Sequence, residues 1–139
     1  MAESGHGRTL ALALEACVTG QTGGLSEFFT DDVSGWSPNM HVTSLDELTE
    51  VVASRDESLS DVSVAVEGVD AAANKAYAEY VMSAKFSGPW QVDEDTVIEP
   101  NGREILLGGA IAADFTGDKI SAFRNYFDDA TLLVQMLAE

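Results

Sequence analysis

The chain has 139 residues, 24 acidic against 7 basic, for a formal net charge of −17, and 45% of it is apolar. That is room for one domain around one hydrophobic core, and the apolar share argues against general disorder. The charge disfavours nucleic acid and anionic membrane as partners, and the single cysteine, Cys17, excludes an internal disulfide and any metal site built on a cysteine cluster.

No apolar run approaches the about 18 residues of a membrane-spanning helix. Met1 to Gly7 is polar and glycine-rich, without the basic and apolar halves of a secretory leader. Residues 1–7 are therefore expected to be a flexible lead-in to one domain, residues 8–139. A cytoplasmic location and no cofactor or metal are the expectations. The acidic surface reads as a solvation layer. If it is instead an adaptation to high salt, stability should climb as salt screens the like charges.

Thr9 to Val18 reads as a helix, because Leu10, Leu14, Cys17 and Val18 recur on one face. Gly20, Gly23 and Gly24 end it. Leu25 to Phe29 reads as a short second helix, and Asp31-Asp32 as its break. Val33 to Trp36 is a short strand closed by Ser37-Pro38-Asn39. Ser44 opens a third helix, with Glu47 at capping-box spacing and Leu45, Leu48, Val51 and Val52 as the buried stripe.

Past Ser60 the period changes from helix to strand. Val62, Val64 and Val66 alternate with Ser63, Ala65 and Glu67. Asp70 to Lys75 turns the chain into a long strand, Ala76 to Phe86. Gly88-Pro89 interrupts it, and Trp90 to Glu99 is a polar excursion that includes the solvated acids Glu94 and Asp95. Asn101-Gly102 is a turn signal. Ile105 to Phe115 and Lys119 to Phe127 form a hairpin about Thr116–Asp118, and Asp128 to Leu137 is a helical tail. The expected class is α+β: a curved antiparallel sheet covered on one face by three N-terminal helices, with a cavity between.

Several segments taken together carry a resemblance: Leu14 to Gly20 followed by Leu25 to Phe28, the bend Phe86-Ser87-Gly88-Pro89-Trp90, the turns Pro100-Asn101-Gly102-Arg103 and Gly117-Asp118-Lys119-Ile120, and Phe123 to Asp128 followed by Leu132 to Leu137. In order and spacing they resemble the first two helices, the Gly-Pro bend, two turns, and the closing strand and tail of SnoaL-like polyketide cyclases, within the nuclear transport factor 2-like superfamily of cone-shaped α+β rolls.

The resemblance implies a homodimer formed through the sheet and a pocket for a small hydrophobic molecule. It also implies an acid–base pair, a histidine on the next-to-last strand and an aspartate on the last. Those positions are Ile111 and Asn125 here, and neither moves protons near neutral pH. Cys17 stands where some cyclases carry a pocket tyrosine.

A turn centred on Asp118 sets Ile111 opposite Asn125 and Ala113 opposite Phe123. Leu107, Ile111, Ala113, Phe115, Phe123, Asn125 and Phe127 then share one face. Asn125 is the one strongly polar member of that face. It reads either as an amide satisfied by a neighbour or as a ligand anchor. Asp114, Arg124, Tyr126 and Asp128 share the other face, where Asp114 and Arg124 can pair in a solvated or interface network.

The candidate ligand-binding residues are Asn125, Trp36, Tyr80, Trp90, Phe123, Ile111 and His41. Trp36 is placed near the pocket mouth, Tyr80 on a strand face with Met82 and Phe86, and Trp90 on a bend that can act as a lid. Each also has a plainer reading: packing for Trp36 and Tyr80, a surface loop for His41, and a small buried hydrophobe for Cys17.

Three functions fit: a binding protein that has lost its catalytic pair; an isomerase, cyclase or hydrolase that recruits His41, Tyr80 or Asp114 as acid or base; and a dimeric interaction module.

Overall fold

Period-two alternation over four long strands shapes the chain into an open six-stranded sheet in the order β2-β1-β8-β7-β4-β3. The computed structural model describes residues 5–55 and 57–138. The strands are β1 (Phe29–Ser37), β2 (Met40–Val42), β3 (Leu59–Ala72), β4 (Lys75–Phe86), β7 (Glu104–Thr116) and β8 (Lys119–Phe127). Two short strands, β5 (Trp90–Asp93) and β6 (Thr96–Ile98), pair with each other outside the sheet. The helices are α1 (Gly5–Val18), α2 (Leu45–Arg55) and α3 (Asp129–Leu137), with a 3-10 helix at Thr22–Glu27.

The hairpin reading holds from Gly109 to Asp114, after which a register shift pairs Phe115 with Ile120. Ile111 pairs with Asn125 and Ala113 with Phe123, about a turn where Gly117 takes φ +62°. Ala76, Ala78 and Tyr80 of β4, with Ile111, Ala113 and Phe123 of the hairpin, form the buried inner face beneath α1. A second apolar cluster centres on Phe86, Ile105 and Met136. Phe86 is fully shielded, a burial of the size that stabilises a fold by about 2–3 kcal/mol.

Several expectations change. The helix expected from Thr9 begins at Gly5, so residues 5–7 are helical rather than a loose lead-in; residues 1–4 lie outside the described residues. The His6 ring stacks on Phe115 at a centroid distance of 4.1 Å. Its Nδ1 and Nε2 lie 3.2 and 2.9 Å from the carbonyl oxygens of Ala73 and Gly117. This tertiary clamp outweighs the poor helix propensity of the two flanking glycines.

The second helix is only a 3-10 turn, and Phe29 starts a strand instead of ending a helix. Asp31 and Asp32 do not break the pattern; both are exposed within β1. The sheet is not wholly antiparallel, because β1 runs parallel to β8. The polar excursion is the β5–β6 hairpin.

Side chains fasten the helix ends. Glu47 N–H donates to Ser44 Oγ at 3.1 Å, while Glu47 Oε1 accepts from Thr43 N at 2.6 Å, one residue earlier than a regular capping box. The backbone and hydroxyl donors of Thr43 hold the Glu47 carboxyl below its usual range. Asp128 caps α3 by accepting from Ala130 N and Thr131 N. At the other end of α3, Asn101 Nδ2 donates to the carbonyls of Gln135, Met136 and Ala138 at 2.9–3.1 Å. Asn101 is thus a helix stop as well as part of a turn. Gln135 lies against β7: Leu106 N–H donates to its Oε1, and its Nε2 donates to the Leu106 carbonyl, both at 2.8 Å.

Candidate functional site

Two helices and the inner sheet face enclose a small cavity of about 40 Å³. From α1 it takes Leu10, Ala13, Leu14 and Cys17; from α2, Leu48 and Val52; from the hairpin, Ile111, Ile120, Phe123 and Asn125. The stripe spacing of each helix turns these residues inward, as does the strand alternation. No carboxylate, imidazole or ammonium group lines the cavity among the described residues.

Asn125 is the polar exception. Its Oδ1 accepts a hydrogen bond of 2.6 Å from the hydroxyl of Tyr80, itself only 4% exposed. Tyr80 stands on β4, two strands away from Asn125. The strand between presents Gly109 opposite Tyr80. A Cβ at that glycine would lie 2.5 Å from the Tyr80 hydroxyl oxygen, so the missing side chain is what lets the phenol reach β8.

A larger open cleft of about 590 Å³ adjoins this cavity. His41 and Asn39 line it from the β1–β2 side, Ser54 and Glu57 from the end of α2 and the turn after it, and Trp90 and Asp129 from β5 and the start of α3. The Gly88-Pro89 bend is pinned beside it: Ser87 N–H and Gly88 N–H donate to the Ser58 carbonyl, and Ser58 Oγ donates to the Pro89 carbonyl at 2.6 Å. A Cβ at Gly88 would overlap the Glu57 carbonyl, so glycine is required for this close approach. Met40 lines both spaces and forms the wall between them. Sequence reasoning passed over Met40, because nothing local marks a methionine in a three-residue strand as a partition.

The candidates therefore separate. Asn125, Ile111 and Phe123 line the inner cavity, and Tyr80 touches it through Asn125. His41, exposed on β2 rather than in a loop, and Trp90, half-buried on β5, line the outer cleft. Trp36 is not at the pocket. It pairs with Arg124 and stands on the outer face, 42% exposed, its ring 5.4 Å from that of Tyr126.

Asp114 is on that outer face too. It binds Lys75 at 2.6 Å and Arg124 at 3.1 Å. The hydrogen bond from Lys75, then that from Arg124, holds its carboxyl below the usual range, and Asp114 in turn pushes Arg124 up. A carboxylate so engaged is a poor general base. Tyr77, Tyr126, Ala110 and Ala112 border a shallow outer groove of about 800 Å³.

The family model for SnoaL-like polyketide cyclases matches residues 8–136. The chain belongs to the SnoaL-like family. No curated protein sequence matches it. A SnoaL-like polyketide cyclase structure from Jannaschia sp. CCS1 superposes on this SnoaL-like chain with a TM-score of 0.83 at 15% identity, covering 99% of this chain and 95% of that one. TsrD from Streptomyces laurentii gives 0.82 at 15% identity, with both chains fully covered. An LEH-like epoxide hydrolase from M. tuberculosis gives 0.72 at 10%, covering 96% and 90%. At these identities the likeness concerns the fold, a mixed α+β architecture with a curved, open sheet. No helix among the described residues is long and apolar enough to cross a membrane.

Proposed function

We propose that this SnoaL-like chain binds a small, largely apolar molecule, and that Ile111 and Asn125 stand in place of a catalytic acid–base pair. The carrying observation is the inner cavity, whose walls are apolar except for one amide and the cysteine thiol. An amide orients a ligand by hydrogen bonding but does not relay protons at neutral pH. The cavity is smaller than the roughly 300 Å³ at which ligand pockets begin. Entry therefore requires the unbranched Met40 side chain to swing toward the cleft and the walls to part.

The test is a thermal-shift screen of small hydrophobic compounds, aromatic, terpenoid and steroidal, at fixed salt. A dose-dependent rise in Tm without turnover is expected, and Asn125→Leu should weaken the response. Unchanged affinity in Asn125→Leu would remove the anchoring role. Turnover would instead favour an isomerase, cyclase or hydrolase whose acid or base comes from the cleft, where His41, Glu57 and Asp129 stand.

A second reading concerns the outer face. Tyr77, Tyr126 and Trp36 are 48%, 51% and 42% exposed on one surface of the sheet, more aromatic area than a solvated face needs. A second copy of the chain is the proposed partner there. Sedimentation should give a dimer that Tyr126→Glu weakens; a monomer at all concentrations would refute it.

A further inference from the structure

The Tyr80–Asn125 pair carries information about ligand chemistry. A phenol has one proton to give, and here it goes to Asn125 Oδ1. A primary amide is planar, with its oxygen and its NH2 on opposite sides. Engaging the oxygen with Tyr80 therefore turns Nδ2 away from the phenol. Among the described residues Nδ2 has no hydrogen-bond partner, and Asn125 lines the cavity. The amide's free donors are thus two N–H groups turned away from the phenol, while its oxygen, though it keeps a second lone pair, is already engaged by Tyr80.

We propose that the cavity selects ligands bearing a carbonyl oxygen over their hydroxyl counterparts, with Tyr80 as the residue that positions the amide for this choice. This rests on the reading of the cavity as a ligand site. A ketone oxygen accepts from Nδ2 and has no proton to place. An alcohol can also accept, but its own O–H must then compete with the phenol for the Asn125 oxygen or stay unpaired among Leu14, Ile111 and Phe123, and either is costly. Gly109 belongs to the same device, since any side chain there would displace the phenol.

The experiment compares cyclohexanone, cyclohexanol and methylenecyclohexane by calorimetry on the full chain. The widening that a six-membered ring demands is common to all three probes and cancels from the ratios. Cyclohexanone is expected to bind about tenfold more tightly than cyclohexanol, the factor that one unpaired hydroxyl implies. In Tyr80→Phe the amide is free to turn, so that ratio should fall toward one.

A readout that needs no variant is the Asn125 side-chain NH2 signal in nitrogen-15 spectra. It should move downfield with the ketone and not with the hydrocarbon. If all three probes bind and the alcohol equals or exceeds the ketone, the selectivity is wrong while the ligand site stands. If none binds, the ligand site fails and the selectivity fails with it.

Discussion

The two faces of the β7–β8 hairpin alternate residue by residue yet solve opposite problems. The inner face carries Ile111, Ala113, Phe115, Phe123 and one amide, which a phenol from two strands away engages. The outer face carries Asp114, which pairs with both Arg124 and Lys75 where water still reaches them. Inside, a polar group without a partner is expensive, so a single one is retained and tethered. Outside, charges are cheap to hold and each pair adds little. The inner face should therefore be sensitive to one methyl group, and the outer face tolerant of a lost charge.

The sharpest test of that asymmetry is Gly35→Ala. Gly35 is buried beside Phe123 on the parallel neighbour, and an added methyl would overlap the Phe123 ring. Overpacking of this kind should lower stability by about 2–3 kcal/mol in urea unfolding; a loss under about 0.5 kcal/mol would mean that the inner face repacks freely.

His6→Ala removes the stack on inner-face Phe115 and the contacts to two turn carbonyls. A loss of about 1 kcal/mol is expected. Hydrogen exchange should rise first in the opening turn of α1 and at Gly117; uniform change along the chain would argue against a local clamp.

The smallest effect belongs to the outer face. The folded Asp114 carboxyl lies below its ordinary value, with the Lys75 hydrogen bond as the larger cause. Its contribution is therefore complete above the unfolded carboxyl's pKa of about 3.9 and is lost as pH falls through the lower folded value. Asp114→Asn should cost less than about 1 kcal/mol at neutral pH and flatten the acid limb of a Tm-against-pH curve. An unaltered acid limb would show that the ion pairs carry no linkage.

What the sequence disclosed follows the range of the interactions. The β7–β8 register is set by a local turn and strict alternation, so the Ile111–Asn125 pairing could be read directly. The Ser44–Glu47 cap was legible for the same reason, although Glu47 reaches Thr43 instead of Ser44. The face of Trp36 depends on β1 lying parallel to β8, a pairing of distant segments that no local pattern records. The Tyr80–Asn125 bond spans 45 residues and depends on an absent side chain at Gly109, so neither partner signals it alone. The β5–β6 hairpin escaped because its strands are three and four residues long and mostly exposed.

Gln135 has a consequence for self-association. β8 leaves β7 at the Phe127–Gly109 pair, so the first residues of β7 run on with one flank lacking a strand. Bare strand flanks template pairing with other chains. The Gln135 carboxamide offers one acceptor and one donor to Leu106, as a neighbouring peptide group would, and so imitates a single residue of a missing strand. Because α3 follows β8 in the chain, this gap stays open during synthesis until α3 has been made. Until then, protection against sticking to other copies falls to the strong negative charge.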